Sequence, residues 1–112
     1  MSELGAMMPG LASIVRLWQE HLSTPFPNGL AGKEVEGEGL VMLEADIAGC
    51  LVTFLGGNRA PALDPKRLEI LHECATSLSR ICPKLPIEHR AYFDRLRAIA
   101  EDVVSLCRRN SR

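Results

Sequence analysis

Leu40–Leu55 reads LVMLEADIAGCLVTFL, and its polarity pattern decides what the rest of the chain must do. At about 100° per residue, Leu40, Leu43, Ile47, Cys50, Leu51 and Phe54 share one arc of a helix. Val41, Ala48, Val52 and Leu55 extend that arc, leaving a narrow strip of Met42, Asp46, Gly49 and Thr53. A helix apolar almost all round is either a central core helix or a membrane span. Glu44 and Asp46 in its first half decide for the core, because an acid near mid-bilayer costs about 2.5 to 3.5 kcal/mol. No membrane association is expected.

A core helix needs amphipathic neighbours, and the flanking sequence supplies three. Upstream, Leu11, Ile14, Val15, Leu17, Trp18 and Leu22 form one apolar face of a helix over 9–22, with Pro9 suited to its first turn. His21 falls inside that apolar arc and reads as a satisfied core or boundary histidine. Downstream, Asp64 followed by Pro65 is a helix start, an N-cap acceptor before a first-turn proline. Leu68, Ile70, Leu71, Cys74, Ala75, Leu78, Ile81 and Cys82 follow on one face over 64–82, until Pro83 stops it. The last helix, 86–109, opens on Pro86 and buries Tyr92, Phe93, Leu96, Ile99, Ala100, Val103, Val104, Leu106 and Cys107. On its outer side Arg97 can pair with Asp94 and Glu101. The expected fold is all-α, a small four-helix bundle with one long first connection.

That connection, 24–38, carries Pro25, Pro27, Asn28, Gly29, Gly32 and Gly37, which bar helix and favour turns. Lys33–Glu36 has the alternation of a short extended piece but shows no strand partner elsewhere in the chain. Glu36 and Glu38 suit the positive end of the helix dipole that begins near Gly39. Gly56, Gly57 and Asn58 end the central helix. Residues 1–8 are expected to be disordered, as domain ends usually are.

At 112 residues the chain is expected to form a single domain, with enough buried surface for one core. A net charge of −1 and 24% charged residues describe an ordinary surface. The charge is unevenly placed, with seven acids against Arg16 and Lys33 up to Gly57, and six arginines against four acids from Pro86 onward. Acids interrupt any basic stripe, so nucleic acid is not an expected partner. The start of the chain lacks the basic and continuous apolar regions of a secretory signal, which makes the cytoplasm the expected compartment. Cys50, Cys74, Cys82 and Cys107 form no CxxC and read as small buried hydrophobes.

No phosphate loop, His-Glu-x-x-His or Gly-x-Ser-x-Gly occurs. Glu69 and His72 make one Glu-x-x-His, but di-iron bundles need that motif twice with two further glutamates. No catalytic residue, metal ligand or cofactor is assigned. Two residue groups remain. Glu44, Arg67 and His89 each sit in the middle of an apolar arc near the start of their helix, forming a candidate buried polar cluster. Ala45, Gly49 and Thr53, four apart, form a candidate close-packing face for another helix of this chain or of a second copy. The expected function is a small protein-interaction module: an adaptor, a regulatory subunit or an antitoxin- or immunity-type inhibitor. Its partner is an unidentified protein, with homo-oligomerisation open. The alternative is a small-molecule-binding or catalytic bundle using Glu44, His89 and Arg67.

Overall fold

Four helices and one minimal hairpin make up the fold, seen here in a computed structural model that describes residues 10–56 and 60–110. The helices are α1 (Leu11–Leu22), α2 (Leu40–Gly56), α3 (Pro65–Ile81) and α4 (Ile87–Asn110). A 3-10 turn, Cys82–Lys84, joins α3 to α4. The all-α bundle with a long first connection is thus the observed architecture, and each helix boundary falls within two residues of its expected place. The readings of residues 1–8, Pro9, Gly57 and Asn58 lie outside the described residues. No described helix is long and apolar enough to cross a membrane.

α4 is the spine. It packs most extensively on α3, then on α1, and also touches α2, while α2 leans chiefly on α3. Phe54, Phe93, Ile14, Leu40, Ile47, Leu51, Leu71, Leu78 and Leu96 are fully buried where these helices meet. Local chemistry starts α3 as read: the Asp64 side chain accepts the Arg67 backbone N–H at 3.4 Å, with Pro65 in the first turn.

The long connection is tied down. Phe26 packs edge-on against Tyr92 and Phe93, and Leu30 is buried in the core. The extended piece does have a partner, four residues further on: β1 (Glu34–Val35) pairs antiparallel with β2 (Glu38–Gly39). Glu36 and Gly37 between them both have positive φ, 53° and 81°, the conformation of a primed two-residue hairpin turn. The sequence showed no second strand because a pair two residues long carries no periodicity.

Glu36 and Glu38 do not serve the α2 dipole. Glu36 accepts from Arg80 Nε at 3.1 Å and pairs with Lys84, and Glu38 accepts from Arg80 Nη2 at 3.4 Å and Ser77 Oγ at 3.1 Å. The hairpin turns both carboxylates across to the end of α3, so part of the acidic first half is neutralised by bases beyond it.

Candidate functional site

The expected cluster of Glu44, Arg67 and His89 does not assemble. Arg67 is exposed and turns back along its own first turn to Asp64, 3.3 Å away. A residue one turn from an N-cap carboxylate has a nearer partner than anything across the bundle. His89, half-buried, lines a surface cleft. Glu44 is the member that faces inward, and it is His21 that it meets, Nε2 to Oε2 at 3.0 Å.

His21 is 3% exposed and belongs to α1, so this contact joins α1 to α2. Since an ionised carboxylate only accepts, Nε2–H is the donor. Nδ1, on the other side of the ring, is buried and meets no hydrogen-bond partner among the described residues. Its ring stacks on Trp18, with centroids 5.4 Å apart, and tilts against Tyr92 at 4.9 Å. Burial pushes the Tyr92 phenol up to about 12; the Glu44 charge adds to the rise and the Arg95 charge opposes it. The Tyr92 phenol therefore sits within electrostatic reach of both a carboxylate and a guanidinium.

Beyond Tyr92 lies a cleft of about 420 Å³ between the Thr24–Asn28 segment and the first turns of α4, lined in part by Pro25, Glu88, His89 and Arg95. Nε and Nη2 of Arg95 are buried without a hydrogen-bond partner among the described residues. Other clefts are better satisfied. In the one lined by Cys82, Arg90, Asp94 and Arg97, Arg90 donates to the Leu85 and Pro83 carbonyls at 2.9 Å each, and Arg97 pairs with Asp94 and Glu101. Burial, reinforced by the charge of Asp94 and a hydrogen bond to it, pushes the Cys82 thiol there up to about 11, so it is no nucleophile at neutral pH.

The close-packing face of Ala45, Gly49 and Thr53 is covered by no helix among the described residues, a correction to half of its reading. All three are exposed, and a Cβ built on Gly49 would have nothing within 4 Å. α3 and α4 take the Leu43, Ile47, Leu51 and Phe54 side of α2, which leaves the opposite side open. Val41, Met42 and Val52, respectively 42%, 62% and 61% exposed, lie on that open side. Glu69 and His72 are exposed on α3, and no group of three metal-ligating side chains gathers among the described residues.

Sequence reasoning found Glu44 and His21 separately, both as polar residues in apolar arcs, but did not join them. It missed Arg95, which no pattern distinguishes from the other arginines of α4. Comparison with protein families, curated proteins and solved structures finds none that matches this chain.

A mutational cycle tests the His21–Glu44 contact. Glu44→Ala strands the buried Nε2–H, and the expected cost is about 1 to 3 kcal/mol. In a His21→Phe background the same change should cost less than half as much, the difference being the coupling. Urea denaturation of the four proteins measures it, and equal losses in both backgrounds would show that the pair contributes no coupling.

Proposed function

We propose that the chain is a protein-interaction module whose docking face is the open side of α2 and whose occupant there is a second copy of the chain. The observation that carries this is the exposed apolar set Val41, Met42 and Val52 beside the small residues Ala45, Gly49 and Thr53. Contiguous exposed apolar surface on a helix marks an interaction site. Gly49 adds a second reason. An interior helical glycine costs about 1 kcal/mol against alanine, and nothing among the described residues requires its smallness. A helix approaching closely from outside would.

Self-association fits the charges. Asp46 is the acid on this face, and a two-fold axis at Gly49 relating antiparallel helices sets Asp46 opposite Val52 of the other copy and Ala45 opposite Thr53. The two Asp46 carboxylates then sit about 9 Å apart along the axis, from a rise of about 1.5 Å per residue. No acid faces an acid. One helix face gives an interface at the small end of the stable range, about 1,200 Å² or less, so the dimer is weak and concentration-dependent. Four free thiols, three of them buried, suit the cytoplasmic setting that goes with this reading, where thiols stay reduced.

Sedimentation velocity across a concentration series tests it. The wild-type chain is expected to move toward twice the monomer mass as concentration rises. Gly49→Gln, at an exposed position where an added Cβ has nothing within 4 Å among the described residues, is expected to remain folded and monomeric. Gly49→Ala is expected to raise monomer stability by about 1 kcal/mol while weakening the dimer. A wild-type chain that stays monomeric throughout, or a Gly49→Gln variant that dimerises equally, overturns the proposal.

A further inference from the structure

The unpaired donors of Arg95 point to a ligand site independent of the α2 face. Nε and Nη2 lie on the same edge of the guanidinium, and that edge is the fork whose two parallel N–H bonds match a planar carboxylate. Both atoms are buried without a hydrogen-bond partner among the described residues. Leaving charged donors buried and unmet is costly, and elsewhere on α4 the structure avoids it: Arg90 caps two carbonyls and Arg97 holds two carboxylates. Arg95 stands apart from both, and it lines the cleft beneath the Thr24–Asn28 segment.

We infer that this cleft binds a small monocarboxylate, held by the Nε–Nη2 edge of Arg95, with His89 and Tyr92 as further polar contacts. A volume of about 420 Å³ suits a ligand of that size. Tyr92 can serve as a donor at neutral pH because burial keeps its phenol protonated. Pro25 and Pro27 supply apolar wall for the ligand's body and present no backbone N–H of their own. Glu88 stands on the same cleft and is exposed. Its charge disfavours a doubly charged oxyanion such as phosphate and tolerates a singly charged carboxylate already neutralised by Arg95. Entry requires the guanidinium to swing its free edge toward the cleft, a rotation that breaks no hydrogen bond from that edge to any described residue.

The test is an amide- and Arg-Nε-resolved NMR titration of the full chain with three probes: benzoate, its uncharged analogue benzamide, and inorganic phosphate. Benzoate is expected to give saturable shifts at Ala91, Tyr92, Asn28 and the Arg95 Nε–H, with benzamide and phosphate at least about tenfold weaker. Arg95→Lys keeps the charge and loses the fork, and is expected to weaken benzoate by about tenfold to a hundredfold, the worth of a charged hydrogen bond. His89→Ala, at a half-buried position, is expected to keep the fold and bind several-fold less tightly, which preserves the test if the Arg95 variant is unstable. Equal shifts with benzamide, tighter binding of phosphate, unchanged benzoate affinity in a folded Arg95→Lys, or no saturable shift at all would each overturn the site.

Discussion

Phe54→Ala is expected to lower the free energy of unfolding by about 3 to 5 kcal/mol, a large part of the 5 to 15 kcal/mol typical of a domain. Phe54 is among the largest fully buried side chains and sits near the C-terminal end of α2, on the arc that also carries Leu43, Ile47 and Leu51. Truncation removes the ring's transfer free energy and leaves a cavity that α3 and α4 cannot close without moving their own packed side chains. Urea denaturation should show a lower midpoint with an unchanged slope. A loss within about 0.5 kcal/mol, the range of surface substitutions, would remove α2 from the centre of the core. Val52→Ala, two residues away on the opposite, open face of α2, is the matched control and should fall in that small range.

Alkaline pH is expected to unfold the chain earlier than an ordinary helical domain. Burial raises the Cys74 thiol from 9.0 to about 12, the Cys82 thiol to about 11 and the Tyr92 phenol from 10.0 to about 12. For an acid whose folded value is raised, the unfolded chain loses its proton first. Between the two values the folded state binds more protons, so stability falls as pH rises. The decline begins near pH 9 with the thiols, is joined by Tyr92 from about 10, and levels only above the folded values. Each group contributes up to about 1.4 kcal/mol per pH unit. Denaturation curves at stepped pH should show this limb, and a Cys74→Ala, Cys82→Ala double variant should have a shallower one. Constant stability through pH 11 would mean that these groups are solvated. In the same picture, thiol reagents near pH 8 should label Cys74 and Cys82 only as fast as the chain opens.

What became legible from the residues alone was the set of elements. Asp64–Pro65 started a helix because a cap and a first-turn proline act within four residues, and the arcs of α1, α3 and α4 followed from one helical period. The same period makes Leu40–Leu55 the central helix, and Leu40, Leu43, Ile47, Leu51 and Phe54 are indeed buried. Which polar residues meet was not legible. The helical period puts Glu44 on an inward arc and offers Arg67 or His89 as its partner, whereas the bundle brings His21 to it from 23 residues upstream.

The sequence by itself determined the four helices, the long proline- and glycine-rich connection and the inward arc of each helix, because these depend on interactions spanning a turn or two of chain. Only the tertiary structure decided that His21 meets Glu44, that Arg67 turns out to Asp64, that Arg95 keeps an unpaired edge beside a cleft, and that the Gly49 side of α2 stays open. Each of those depends on how far one helix slides and rotates against another. That register is set by the summed packing of many side chains, and no short stretch of sequence encodes it.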